Sequence, residues 1–191
     1  PYTGHYGDNV PYYDLTDVIT YTTITFLKDK RDGDLVRMGI EQARNANKPK
    51  PYIGHGIGVL RSFGYNEPPS NGNYRTDKYI PFNIQRFKLY DQVINGATGI
   101  WWYGTDQIEM CNNNVYFEHH YNQLTSLTSE LSDIYGALTE PQFFDEWTVS
   151  DDRVLAMMKH HNGKLYLIAV GVPEENLNNI EITIDDKYKL N

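Results

Sequence analysis

Apolar residues along this chain recur with two different periods, and the change from one to the other divides it. From Val18 to Phe26 nearly every residue is β-branched or aromatic, which predicts a strand. A turn at Lys28–Gly33 leads to a helix capped by Asp34, with Leu35, Val36, Ile40 and Ala43 on one face. It stops near Asn45–Asn47, ahead of Pro49 and Pro51. Tyr52 to Leu60 reads as a second buried strand, loosened by Gly54, Gly56 and Gly58. A long loop, Arg61 to Lys78, follows. Then comes a helix from Pro81 to Asn95, whose apolar face is Ile84, Phe87, Tyr90, Val93 and Ile94 and whose stop signal is Gly96. Gly96 to Gly104 is a third strand, ending in Trp101-Trp102-Tyr103. After the polar loop Thr105–Asn114, a last helix is expected over Phe117–Tyr135, with Tyr121, Leu124, Leu127, Leu131 and Ile134 along one side.

Beyond Pro141 the helical period disappears. Phe143–Val149, Arg153–His160, Lys164–Val170 and Ile180–Ile184 all read as strands. Val154, Ala156 and Met158 alternate, as do Leu165, Leu167 and Ala169. Between them His161-Asn162-Gly163-Lys164 is a strong hairpin turn. No solenoid-type repeat is visible.

Strand–helix repeated three times predicts an α/β fold with a parallel sheet, followed by a small antiparallel β module. Ligand sites of parallel sheets lie beyond the C-terminal ends of the strands. The loops Arg61–Lys78 and Thr105–Asn114 and the aromatic end Trp101–Tyr103 all fall on that side. Strand side chains alternate, so Trp101 and Tyr103 share one face and Trp102 takes the other. One set can stack on a ligand; packing in the core is the competing reading for all three.

Composition narrows the partners. A net charge of −8 and no uninterrupted basic cluster (Lys28-Asp29-Lys30-Arg31 is broken by acid) argue against nucleic acid. Sixteen tyrosines suit a surface for polar, ring-shaped ligands but equally suit strands. The one cysteine, Cys111, excludes an intrachain disulfide and carries no sign of activation. No apolar run reaches the roughly 18 residues of a membrane span. The chain starts Pro1-Tyr2 without Met, as a processed or truncated chain would.

Three stretches together carry a family resemblance: Lys48-Pro49-Lys50-Pro51-Tyr52-Ile53-Gly54-His55-Gly56, Asn95-Gly96-Ala97-Thr98-Gly99-Ile100-Trp101-Trp102-Tyr103, and Leu131 to Pro141. With the β module that follows, they resemble the end of a glycoside-hydrolase (β/α)8 barrel and its C-terminal β-sandwich. The resemblance implies that residues 1–141 are the C-terminal part of a TIM (β/α)8 barrel, about three βα units, with Gly96–Gly104 as the eighth strand. Residues 142–191 are then an incomplete sandwich-like module, in which Lys164–Val170 and Ile180–Ile184 are similar to its paired strands. A full barrel takes roughly 250 residues, so the missing N-terminal part of the same polypeptide is an expected partner. The competing reading is a small, complete three-layer α/β domain. The resemblance further implies a carbohydrate ligand, no cofactor, and an extracellular or cell-surface location.

Glycoside hydrolysis needs two carboxyl groups, about 5–5.5 Å apart for retention or about 6.5–9.5 Å for inversion. In many retaining barrel enzymes one of these is a glutamate at the end of the seventh strand. Here that place holds His55-Gly56, a departure that puts the retaining mechanism in doubt. The remaining candidate acids are Asp106 and Glu109, directly after the eighth strand, and Glu67 in the preceding loop; a solvated loop acid is the plainer reading of each. Asp14 and Asp17 precede a strand and so belong to the opposite side. Candidate sugar-binding residues are Trp101, Trp102, Tyr103 and His55. His119-His120 and His160-His161 lack matching ligands at metal spacing and read as surface residues. There is no Gly-x-Ser-x-Gly elbow, P-loop or dinucleotide fingerprint. The alternative to a hydrolase is a non-catalytic carbohydrate-binding or structural surface protein with a degenerate glycosidase barrel.

Overall fold

The structure, a computed structural model, describes residues 19–20, 52–57, 82–103, 114–141, 147–172 and 176–188. The helix expected after Asp34 and the loop acids Glu67, Asp106 and Glu109 lie outside the described residues.

Three strands form one parallel sheet in the order β1 (Ile19–Thr20), β2 (Tyr52–Ile57), β3 (Gly99–Tyr103). Helix α1 (Phe82–Ile94) joins β2 to β3, and α2 (Asn114–Asp133) and the single turn α3 (Tyr135–Leu138) follow. Two antiparallel pairs come next: the hairpin β5 (Val154–His161) with β6 (Lys164–Gly171), and β4 (Trp147–Val149) with β7 (Ile182–Ile184). A short 3-10 turn spans Asp186–Tyr188. The described residues are thus a mixed α/β arrangement with an antiparallel module, and they contain three parallel strands rather than a closed barrel. The pairing also corrects one expectation. The strands at 164–170 and 180–184 pair with different partners, because the Asn162-Gly163 turn, at φ 50° and 73°, commits β6 to β5.

Helix α1 ends as its sequence predicts. Gly96 adopts φ 103°, its N–H bonds to Val93 O at 3.0 Å, and Ala97 N–H reaches back to Gln92 O at 3.0 Å. This Schellman closure requires the left-handed region that glycine enters without a Cβ penalty. Asn95 adds bonds from its amide to Asp91 O at 2.7 Å and to the Asp91 carboxylate at 3.1 Å.

The burial of α1 exceeds what its amphipathic pattern predicts. The helix packs against β2 on one side and against both strands of the hairpin on the other. Gln85, Lys88, Asp91 and Gln92 are therefore buried along with Ile84, Phe87, Leu89, Tyr90 and Ile94. Buried polar groups must be bonded. Gln85 donates to Gln123 of α2 at 2.6 Å, and the Gln92 amide bonds back to Lys88 O at 3.3 Å. On α2, Leu127 is fully buried as expected, but Tyr121 is 59% exposed, so its expected place on the buried face is wrong. Gln123 takes the buried position because it bonds Gln85 across the interface.

A core cluster among the described residues joins the two halves. Tyr90 and Ile94 of α1 pack with Met157 of β5, and Leu131, Ile134, Leu138, Leu155, Ile168 and Val170 surround them. The opposite face of the hairpin, carrying Ala156, Met158, Leu165, Leu167 and Ala169, is the one that the sequence alternation picks out. Ala156 and Met158 are buried there and β4 packs on β5, but Leu167 is 39% exposed and Ala169 is exposed. The denser contact with α1 is made by the other set.

A polar cluster lies at one edge of the α1–α2 contact. Arg86 bonds Glu130 at 2.8 Å, and the Tyr90 hydroxyl donates to the same carboxylate oxygen at 3.1 Å. The Arg86 guanidinium sits 5.6 Å from the centre of the Tyr90 ring. Burial pushes the Tyr90 phenol above its ordinary 10.0. The Glu130 carboxylate pushes it further, and Arg86 pulls it partly back.

Because Met157 is fully buried where the β module meets α1, Met157→Ala is expected to cost about 2–5 kcal/mol in urea unfolding. Far-ultraviolet circular dichroism and tryptophan emission are expected to report one coincident transition, and two separated transitions would show that residues 142–191 fold alone. The raised Tyr90 value has a definite sign. The folded state holds the phenolic proton more tightly, so this contribution is present below about pH 10 and is lost as pH rises through the folded value. Tyr90→Phe is expected to flatten the fall in stability that sets in above about pH 10, read from urea midpoints.

Candidate functional site

The third strand forms because a run of apolar, mostly aromatic residues follows the Gly96 stop signal with no charge or proline to interrupt it. Parallel pairing with β2 sets its register: Gly54 beside Ile100, His55 beside Trp101, Gly56 beside Trp102 and Ile57 beside Tyr103. Two of the expected ligand-binding residues, His55 and Trp101, are therefore neighbours on adjacent strands.

The aromatic cluster divides across the sheet. Trp101 is 54% exposed, whereas Trp102 is half-buried and lines a cavity on the helix side. The alternation of a strand requires this split. The β2 neighbours of Ile100 and Trp102 are glycines, which present no side chain of their own. Trp102 thus faces the cavity between sheet and helices.

That cavity has a volume of about 810 Å³ and is half-open. Its apolar floor includes Leu89 and Val93 of α1, Leu127 and Leu131 of α2, and Ile100 of β3, with Met157 of β5 behind them. Thr128, Ser132, Tyr135, Thr139 and Glu140 lie around it, and Tyr135 is 68% exposed. Residues 96–98, which lead into β3, also line it, together with Gly99, Ile100 and Trp102 of the strand. Sequence reasoning did not find it. Its signals are the small residues Gly96-Ala97-Thr98-Gly99 and the break between α2 and α3 at Ile134, where no side chain caps the new turn.

One wall of the cavity is tied down by a second polar cluster. Lys159 is buried on β5 and donates to Glu140 O and, at 3.4 Å, to Leu138 O, which closes the C-terminal end of α3. The Glu140 carboxylate meets His161 Nδ1 at 2.9 Å. The His161 imidazole lies so close over Gly136 that a Cβ there would be 2.6 Å from Nε2. His160 is exposed as expected, but His161 is not a plain surface residue: its side chain is 24% exposed and locks the hairpin onto α3.

Asp106, Glu109 and Glu67 lie outside the described residues. The buried carboxyl that is described, Asp91, sits on the last turn of α1 with Asn95 and serves the helix end. Among the described residues no group of three or more His, Cys, Asp or Glu is placed to hold a metal ion. No helix among them is long and apolar enough to cross a membrane.

No protein-family model, curated protein or solved structure matches the chain.

Gly136→Ala forces the His161 ring away from Glu140 and is expected to cost about 1–3 kcal/mol. His161→Ala alone is expected to cost less, since the partly exposed contact with Glu140 that it removes is worth at most about 1 kcal/mol. In the double variant the clash is gone, so the two losses combine to less than their sum. A thermal or urea double-mutant cycle measures the coupling, and strict additivity would mean that the two residues do not touch.

Proposed function

We propose that this chain is the C-terminal part of a carbohydrate-active, glycoside-hydrolase-like (β/α)8 barrel with its β module. On this reading an oligosaccharide lies across the C-terminal ends of the parallel strands. One observation carries the proposal: a tryptophan, Trp101, stands 54% exposed on an all-parallel sheet, in register with His55. Strands of parallel sheets are ordinarily covered on both faces, and an open indole there offers the flat apolar surface on which the C–H face of a pyranose ring stacks. The consecutive order β1-β2-β3 and the helix between β2 and β3 also support a barrel segment.

In this proposal His55 and Tyr103 are the hydrogen-bonding candidates beside Trp101, and Asp106, Glu109 and Glu67 are the candidate carboxyl groups of the hydrolase. A second reading is favoured by a specific residue. His55 stands where a retaining barrel enzyme carries glutamate, which suits a barrel that binds sugar without cleaving it. Both readings place the protein outside the cell or on its surface.

Titration of the chain with a panel of neutral oligosaccharides, followed by calorimetry, tests the carbohydrate reading. Trp101→Ala is expected to weaken binding by about tenfold, a loss of roughly 1.4 kcal/mol. Its unfolding midpoint should move less than that of a core substitution, because about half of the residue is exposed. Trp102→Ala is expected to do the reverse, costing roughly 1–3 kcal/mol of stability while retaining affinity. No binding across the panel sinks the carbohydrate reading, and binding that is indifferent to Trp101 moves the site elsewhere. Release of reducing ends that is abolished by Asp106→Asn, Glu109→Gln or Glu67→Gln would identify a hydrolase; binding without release would favour the degenerate barrel.

A further inference from the structure

We draw no further inference here: the strongest candidate, the half-open cavity of about 810 Å³ enclosed by α1, α2, α3, β3 and β5, has an apolar floor and nothing in the structure shows what covers it.

Discussion

The fold depends on a helix that is buried over most of its length, with Phe82, Asn83 and Arg86 left at the solvent. Because α1 is pressed between β2 and the hairpin, its glutamines, its lysine and its aspartate are removed from water as thoroughly as its leucine and phenylalanine. An unbonded polar group in that position costs about as much as a lost core side chain contributes. The Gln85–Gln123 bond, the Asn95 bonds to Asp91 and the back-bond from Gln92 therefore matter to the whole arrangement. The Gln85–Gln123 bond leaves the helix and ties the rotation of α1 to α2, and in that rotation Tyr90 and Ile94 pack with Met157. The same helix thus orients the β module and delivers the chain, through Gly96, into β3.

Local features of the fold were legible in the sequence wherever one residue type has a single physical reason to be present. Gly96 and Asn162-Gly163 were such cases, because a left-handed backbone admits few residues, and both turns form as expected. That a strand follows Gly96 was legible because charge and proline are absent between two glycines, but it begins at Gly99, three residues later than expected, since Gly96 and Ala97 are used to close α1. Long-range choices were not. Periodicity puts Tyr121 and Leu124 on one helical stripe, but it carries no information about the glutamine on α1 that pulls Gln123 inward instead. Likewise, four strand-like segments permit several pairings. The tight turn commits β6 to β5, and the ladder from Trp147–Ile184 to Val149–Ile182, extended by the bonds between Ser150 and Glu181, assigns β7 to β4.

The candidate site was legible in part for the same reason. A strand of alternating side chains guarantees that adjacent tryptophans face opposite ways, so that one of them had to serve the interior. Which one did so depends on where α1 and α2 lie, and that is set by contacts distant in sequence. His161 shows the converse. Read locally it is one of a pair of hairpin histidines, and its partner Glu140 and the bare backbone of Gly136 come from a different element altogether.

The division of Trp101 and Trp102 between solvent and cavity also gives the protein two intrinsic optical reporters on consecutive residues. Their indoles emit from different polarities. Trp101 is open to collisional quenchers such as iodide, and Trp102 is partly shielded from them. A quenching curve should consequently bend where a single population would give a straight line. The third indole, Trp147, lies with its N–H buried in the β module and adds to the shielded fraction. Changes at the strand ends and changes at the sheet–helix contact then register in separate parts of one emission spectrum.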